Sequence, residues 1–589
     1  MLGTEREKLS FAFQLHDDDG DGSVSPVELE RMIALSLAED QVSMRPADAR
    51  ALADALFREA DRNRDGRITF DEFEAMVRAR PEVLRQLVRS EARWIAPSED
   101  LLDRIEAPPR GRLARAARLL QNHAAPALML CLWGVANVAL FTAAALRYHH
   151  LGAHPFVQLA RGCGACLNFN GALILVPMMR RLLTWVRKVW LGRLIPVDDA
   201  IAAHRLVGNA MFGFGLVHTV AHLGNYAFVS PKGFLDQLFV TKAGLTGVLL
   251  LAVFTVMWFF ARQAIRRARR FELFYRTHLL YLAWLALLLG HGPVYWRWAA
   301  VPLVGFAAEQ ILRLQRRAIT TRVASAQALR SGVTRVELDR PPGFTHRAGD
   351  YLFVRIPAVA RHEWHPFTIS SAPESPALTL HVRSLGNWTT ALRVIAELKH
   401  ATGYPEPLVA HLDGPYGTAS SEILASRFAV MIGAGIGVTP FASVLESVML
   451  SAGGQGGATS LRKLHFFWLN RDQYSFEWFA ALLSQLEAGD ARGLLDIHIC
   501  MTGGRPHLTA AALHLAREVR HEEGGSDIVT GLRTKTAMGT PEWELWLGDI
   551  ARQHAPEPVD LYFCGPPGLG AAIRPICKRL GMRFRQEHF

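Results

Sequence analysis

Hydrophobic and polar positions fall into three regimes along this 589-residue chain. Up to about residue 90, apolar residues recur at helical spacing and are interrupted by two loops rich in Asp and Gly, Asp17 to Glu28 and Asp61 to Glu72. Between residues 124 and 313, apolar runs of membrane-spanning length alternate with arginine clusters. After residue 318, short β-rich segments alternate with helical ones and glycine-rich turns, as in an α/β region. The pattern predicts a multidomain protein: a helical region at 1–90, a linker with an amphipathic stretch at 91–123, a transmembrane helical domain at 124–313, and two further domains at 318–420 and 421–589.

Six segments of the middle region are expected to be membrane helices: 124–146, 156–179, 203–223, 243–261, 274–291 and 298–313. Basic residues decide how they are threaded. Arg110, Arg112, Arg115 and Arg118 precede the first; Arg180, Arg181, Arg187, Lys188 and Arg193 follow the second; Arg262, Arg266, Arg267, Arg269 and Arg270 follow the fourth; Arg313, Arg316 and Arg317 follow the sixth. The alternate loops hold only Arg147, Lys232, Lys242 and Arg297. Because cytoplasmic loops retain the basic residues, both ends of the chain are expected in the cytosol, beneath a plasma or inner membrane. The formal charge of +11 fits such loops, and nucleic acid is not an expected partner. Six scattered cysteines, with a lone CxxC at Cys163 and Cys166 inside an apolar run, argue against a zinc or disulfide framework. The first residues lack a basic stretch followed by an apolar one, so internal segments are expected to drive insertion.

The two acidic loops carry the first recognisable chemistry. Asp17, Asp19, Asp21, Ser23, Ser25 and Glu28 stand at positions 1, 3, 5, 7, 9 and 12 of a loop with Gly22 at position 6, and Asp61, Asn63, Asp65, Arg67, Thr69 and Glu72 repeat it around Gly66. A hard cation such as Ca2+ takes about six to eight oxygens, a bidentate carboxylate to close the shell, and a glycine for the sharp turn, so the pattern is that of a calcium-binding EF-hand pair. Ser23 and Arg67 need supply only backbone carbonyls, and Val24 and Ile68 are expected to pair as a small β-bridge. Ser25 with Glu28, and Thr69 with Glu72, also match capping-box spacing, which leaves the aspartates unexplained. The arginine-rich stretch Leu101 to Leu120 suits either an opened EF-hand groove or the membrane surface.

Four histidines carry the second. His204 and His218 lie 14 residues apart in the third segment, His278 and His291 lie 13 apart in the fifth, and these steps span about 21 and about 20 Å of helix. So spread, they cannot share one metal ion. Two stacked sites, each bridged by one histidine from each helix, are the natural arrangement, and bis-imidazole haem iron suits electron transfer because no position is left open. A 14-residue step returns to within about 40° of the same face whereas a 13-residue step misses by about 140°. His291 therefore requires a bend or an irregular turn. His222 and Arg161 are further polar residues at membrane depth; Arg161 can pair with a haem propionate, draw a superoxide-like anion, or snorkel outward. Trp284 falls between the two levels, where it can bridge or simply pack.

In the last third, His365, Pro366, Phe367, Thr368, Ile369, Ser370 and Ser371 follow a β-rich segment and precede His381, Val382, Arg383, Trp388 and Thr389. A flavin site needs a strand edge for the ring, a hydroxyl for the ribityl chain and an arginine for the pyrophosphate, all present here. From Val430 an apolar strand enters a turn with Gly433, Gly435 and Gly437, then a helix beginning near Thr439 and Pro440. Such glycines let backbone approach a pyrophosphate at a helix N-terminus.

From about Ala160 to Phe589 the sequence resembles the NADPH oxidase family, and with its EF-hands the calcium-regulated branch. The resemblance is carried by CLNFN at 166–170, His204 to His222, HPFTISSAPE at 365–374, GAGIGVTPF at 433–441, NRDQYSFEWF at 470–479 and the terminal RQEHF. It implies an EF-hand pair, a six-helix transmembrane bundle with two b-type haems, and a ferredoxin-reductase-like module of an FAD-binding β-barrel and an NADPH-binding α/β domain. It implies His204 with His278 on the inner haem, His218 with His291 on the outer, and oxygen as acceptor near Arg161 and His222. FAD falls on His365 to Thr368 and Arg383, and NADPH on Gly433 to Pro440, Arg471 and Cys564 to Pro566, Gly565 included. Phe589 would cover the flavin until nicotinamide displaces it, and Arg505 is added for the 2′-phosphate on charge grounds. The expected function is calcium-activated transfer of electrons from cytosolic NADPH to outer oxygen, giving superoxide or hydrogen peroxide, with a contact between EF-hands and dehydrogenase. Longer relatives carry more EF-hands, where this chain has one pair. The rivals are a transmembrane ferric or cupric reductase, for which His149, His150 and His154 would attract metal, and a calcium-sensing scaffold with an inert redox domain.

Overall fold

The computed structural model describes residues 5–39, 42–80, 83, 124–189, 195, 197–262, 271–316, 319–361, 363–402, 408–451, 460–489, 493–503 and 511–587. The Leu101 to Leu120 stretch, with Arg110, Arg112, Arg115 and Arg118, lies outside them, as do Arg193, Arg266, Arg267, Arg269, Arg270, Arg317, Arg505 and Phe589.

Helices α1 (Glu5–Gln14), α2 (Pro26–Glu39), α3 (Pro46–Ala60) and α4 (Phe70–Arg78) make two helix–loop–helix units. Pro26 and Pro46 open α2 and α3, where the missing N–H costs nothing. Strands β1 (Ser23–Val24) and β2 (Ile68–Thr69) pair antiparallel with Val24 opposite Ile68, which locks the two loops side by side.

The middle region contains α5 (Ala124–His150), α6 (Pro155–Leu173), α7 (Arg180–Lys188), α8 (Ala200–Phe228), α9 (Lys242–Phe260), α10 (Phe271–His278), α11 (Tyr281–His291) and α12 (Tyr295–Arg316). Among the described residues, five stretches are long and apolar enough to cross a membrane: Ala127–His150, Pro155–Met178, Ala200–Phe228, Lys242–Phe260 and Leu273–His291. The sixth expected segment is helical within α12, but Pro302 stands inside it and the buried Glu309 accepts from the Arg181 N–H at 3.0 Å. Asn170, fully buried on α6, accepts from Trp133 Nε1 at 2.8 Å and donates to Asn137 Oδ1 at 2.6 Å, tying α6 to α5. Such a bond is retained because nothing else in an apolar layer can satisfy these groups.

Two sheets follow. Strands β3 (Ile319–Ala328), β4 (Val333–Asp339), β5 (Tyr351–Arg355), β6 (His365–Thr368), β7 (Ala377–Arg383) and β8 (Leu408–Tyr416) form an antiparallel sheet in the order β6-β5-β8-β3-β4-β7, with helix α13 (Asn387–Thr402) beside it. Its inward face, including Val336, Leu338, Leu352, Leu378, Leu380 and Leu412, is a closed apolar core, and the edge strands β6 and β7 meet, so the sheet is nearly a barrel. The second sheet is parallel, in the order β12-β11-β10-β9-β13-β14. Its elements are β9 (Phe428–Ala434), α14 (Thr439–Leu450), β10 (Lys463–Asn470), α15 (Ala480–Gly489), β11 (Leu495–Met501), α16 (Ala511–Glu522), β12 (Thr536–Met538), α17 (Trp543–His554), β13 (Asp560–Cys564), α18 (Pro567–Arg579) and β14 (Arg583–Glu587). The strand order reverses between β9 and β13, and ligands of such sheets bind outside the carboxyl ends at that point.

Among the described residues, the EF-hand region touches the parallel-sheet domain and the membrane region touches the barrel. Helices α2 and α3 pack on α16, the Ser43 N–H donates to Gln473 Oε1 at 2.7 Å, and the buried Arg80 bridges Glu59 and Glu522, the latter at 2.6 Å. At the membrane side of the barrel, the Arg180 guanidinium lies 3.8 Å over the Phe353 ring and Arg313 pairs with the buried Asp413 at 3.4 Å.

Candidate functional site

Helix α8 puts His204 and His218 on one face. Across from it, α10 ends at His278 and α11 at His291, and the backbone between them is irregular: Leu280 N–H bonds to Thr277 carbonyl and Leu282 N–H to Leu279 carbonyl, each at 3.2 Å. These three-residue turns wind the chain faster than an α-helix, by about 20° per residue, and so take up part of the phase error of the 13-residue step. The His204 and His278 ring centres are 6.2 Å apart, and those of His218 and His291 are 6.4 Å apart.

A metal-bound imidazole nitrogen lies about 2.0 Å from the ion, with the ring centre about 1 Å farther back, so two rings facing one ion have centres about 6 Å apart. Both pairs fit this test. The outward nitrogens are occupied: Nδ1 of His204 donates to the Ile174 carbonyl at 3.0 Å, Nδ1 of His218 to the Ala160 carbonyl at 2.8 Å, and Nδ1 of His291 to Thr246 Oγ1 at 2.8 Å. Such bonds fix the tautomer that leaves Nε2 free to ligate. A Cβ on Gly247 would sit 3.3 Å from His291, whereas one on Gly215, three residues before His218, would meet nothing within 4 Å. Glycine thus leaves space beside these rings. His222 stacks edge-on against His218 at 4.6 Å, and the exposed Arg161 lies 5.0 Å over Tyr148. Trp284 is buried among Val207, Met211, Leu250 and Met257 and stacks on Phe254 at 5.4 Å. His154 caps α6 through the Phe156 N–H, and the group of three carboxylates at Asp17, Asp19 and Asp21 is the one metal-sized cluster of His, Cys, Asp or Glu among the described residues.

In that first loop the three aspartate oxygens lie within 4.8 Å of one another. Asp17 also accepts from the Asp21 and Gly22 N–H groups, and Asp61 accepts from those of Asp65 and Gly66, so each loop is wrapped around its first carboxylate. Gly22 and Gly66 have φ of 84° and 83°, a conformation that a side chain would strain. Hydrogen bonds from the Ser23 side chain and backbone hold Asp21 below its ordinary value, so it stays ionised. Burial acts to raise Glu28 and Glu72, but hydrogen bonds from Ser25 and Thr69 outweigh it and both are lowered. Arg67 reaches across from the second loop to Asp21 Oδ2 at 2.7 Å, a contact its loop position did not foretell.

Of the run expected to hold flavin, His365 to Thr368 form β6 and Ile369 to Ser371 follow it. His365 lies 4.5 Å from the Trp388 ring and Phe367 stacks on the same indole at 5.6 Å; Pro366 pairs opposite Phe353 and Thr368 opposite Tyr351. Several hydroxyls of the expected set are engaged within the protein: Ser370 Oγ donates to the Thr379 carbonyl, Ser371 Oγ accepts from the Thr379 N–H, and Thr389 Oγ1 accepts from the Leu385 and Gly386 N–H groups. Arg383, at the end of β7, comes within 3.5 Å of where a Cβ on Gly435 would stand, so it faces the glycine turn of the neighbouring domain.

That turn fits a close backbone approach. A Cβ on Gly437 would fall 2.3 Å from the Cys564 carbonyl, and one on Gly433 would crowd Val438. Gly435 has φ of 58°, Thr439 and Pro440 open α14, and Gly565 and Pro566 lead into α18. The two glycine-bearing ends thus meet at the switch point. Burial, reinforced by the Glu587 carboxylate, pushes the Cys564 thiol well above its ordinary range, so it remains protonated. Arg471 is exposed just beyond the carboxyl end of β10. Motif reading passed over Thr246, an ordinary helix threonine until α9 sets it against His291, and over the pairing of Arg180 with the barrel, which only the folded junction creates.

Four family models match the chain: an EF-hand domain pair over 6–78, a ferric reductase like transmembrane component over 161–290, an FAD-binding domain over 318–420 and a ferric reductase NAD binding domain over 427–578. The chain is 35% identical to NADPH oxidase 5 of Homo sapiens, an alignment covering 100% of this chain and 88% of that one. It is 32% identical to a superoxide-generating NADPH oxidase heavy chain of Dictyostelium discoideum over 76% of this chain and 92% of that one. Identity to dual oxidase 2 of Sus scrofa is 31%, over 74% of this chain and 30% of that one.

Proposed function

The chain belongs to the calcium-regulated NADPH oxidase family, and from that premise we propose how its own residues divide the work. It is a transmembrane oxidoreductase that passes electrons from NADPH through FAD and haem to oxygen, yielding superoxide. When bound, FAD converts a two-electron hydride into single electrons and haem iron relays them one at a time.

His204 and His278 hold the inner haem, and His218 and His291 the outer. The carrying observation is the two histidine pairs facing each other at 6.2 and 6.4 Å on two levels of one helix bundle. Thr246 and the Ile174 and Ala160 carbonyls orient three of the rings. Arg161 and His222, beside the outer pair, draw oxygen and balance the charge it acquires. Gly433 to Pro440 with Gly565 and Pro566 cradle the NADPH pyrophosphate, Arg471 takes the nucleotide phosphate, and Arg383 meets the flavin pyrophosphate. Cys564, a protonated thiol, lies at the nicotinamide end. The distribution of basic residues supports cytosolic placement of both termini. Calcium at the two EF-hand loops changes the angle of α2 and α3, and the signal passes through Arg80 and Ser43 to α16 and Gln473.

Purified protein in liposomes, fed NADPH with and without calcium, tests this. The expected result is a haem Soret band and dye reduction that calcium stimulates and superoxide dismutase abolishes. Folded protein without the Soret band, or electron flux to ferric iron that persists unchanged without oxygen and yields no superoxide, overturns it.

A further inference from the structure

One face of α14 carries Ser443, Glu446 and Ser447, and all three reach residues 371–375 of the flavin-binding domain. Ser443 Oγ donates to the Ser371 carbonyl at 2.7 Å and Ser447 Oγ donates to Glu374 Oε1 at 3.0 Å. Between them the Glu446 carboxylate is used at both oxygens: Oε2 accepts from the Ala372 N–H at 2.6 Å and Oε1 from Ser375 Oγ at 2.9 Å. Ser443 and Ala372 are both fully buried, so the contact is a sealed seam. Helix α14 begins directly after the glycine turn, and residues 371–375 leave directly from the β6 run. The same carboxylate therefore joins the continuation of the flavin strand to the second turn of the nucleotide helix. It is the only charged residue of α14, whose other positions are apolar or hydroxyl-bearing.

We propose that Glu446 is a positioning residue for hydride transfer, fixing the distance and angle between the flavin and nicotinamide sites without touching either cofactor. In that step the C4–H bond of reduced nicotinamide breaks, and the hydrogen and both electrons form the N5–H bond of the flavin. Glu446 neither gains nor loses a proton. The reacting atoms must approach to about 3–3.5 Å, and an error of about 1 Å costs on the order of a hundredfold in rate. A seam of four hydrogen bonds between the two domains controls that error directly. The inference rests on the nicotinamide-to-flavin step of the proposed electron path and on none of the haem assignments.

The test uses the full chain in detergent: anaerobic stopped-flow reduction of bound flavin by NADPH, flavin content by absorbance, and the long-wavelength charge-transfer band formed when NADP+ meets reduced flavin. Glu446→Ala is expected to keep its flavin and its NADPH KM, to reduce flavin about tenfold or more slowly at saturating NADPH, and to lose most of the charge-transfer band. Glu446→Gln keeps an oxygen for the Ala372 N–H and an amide for Ser375, and is expected to restore rate and band. An unchanged rate and band in Glu446→Ala overturns the proposal, as does an effect confined to KM or a Gln variant as slow as the Ala variant. Where Glu446→Ala does not retain flavin, Ser375→Ala is read by the same two measurements, and normal values there overturn it. Failure of the electron path itself would appear as absent flavin reduction in the unaltered protein.

Discussion

At the scale of single residues, burial decides the charge of His381. His381 on β7 lies between Phe479 and Trp478, with Ser370 Oγ 2.8 Å from its Nδ1. Burial, reinforced by the charge of Arg335, lowers it from 6.5 to about 3. A base so lowered is held neutral in the folded state, while the unfolded chain takes up its proton as pH falls below 6.5. The stability it contributes is therefore complete above about pH 6.5 and is lost progressively toward about pH 3. Substituting His381→Asn should lower the thermal midpoint at pH 7.5 but flatten its fall between pH 7 and pH 5. Calorimetric scans across that range check this; an equal slope in both proteins refutes it.

At the scale of elements, the break between α10 and α11 bears on where His291 stands, and so on the second haem site proposed above. The two turns around Leu279 and Leu280 supply part of the rotation by which His291, like His278, comes to face α8. Deleting Leu280 turns everything after it by about 100° and lifts it by about 1.5 Å. The expected outcome is loss of about half the haem per chain by pyridine haemochrome assay, with the inner pair His204 and His278 retained. Full haem content in the deletion would show that the break does not set the register. The spacing of 13 residues announced that some irregularity was needed. Its place was not legible, because Leu279 and Leu280 are unremarkable apolar residues in an apolar run, and only the neighbouring helices decide where the turn tightens.

At the scale of the whole molecule, the EF-hand helices meet the parallel-sheet domain at Ser43 and Arg80, the route proposed for calcium control. Arg80 is buried at the contact of α3 with α16 and pairs with carboxylates on both sides, so removing it leaves Glu59 and Glu522 facing each other without the cation. Replacing Arg80→Ala should bring the ratio of calcium-stimulated to calcium-free NADPH consumption toward one, while the calcium-free rate stays within about twofold, since the partners are half exposed and the pair itself is modest. Hydrogen exchange of α16 with and without calcium should show the matching loss of coupling; an undiminished ratio refutes the route.

Legible in the sequence were the features that need several residues at fixed local spacing: the acidic loops, the glycine turn, the β6 run, and the vertical separation of two histidines on one helix. Those patterns are local because turn geometry and helix rise are local. Tertiary structure alone decided everything that joins distant segments. It set Thr246 against His291, Arg67 on Asp21, Arg80 between two domains and Glu446 against residues 371–375. A lone polar side chain carries no periodicity or spacing of its own, so its partner is fixed only when packing brings two parts of the chain together.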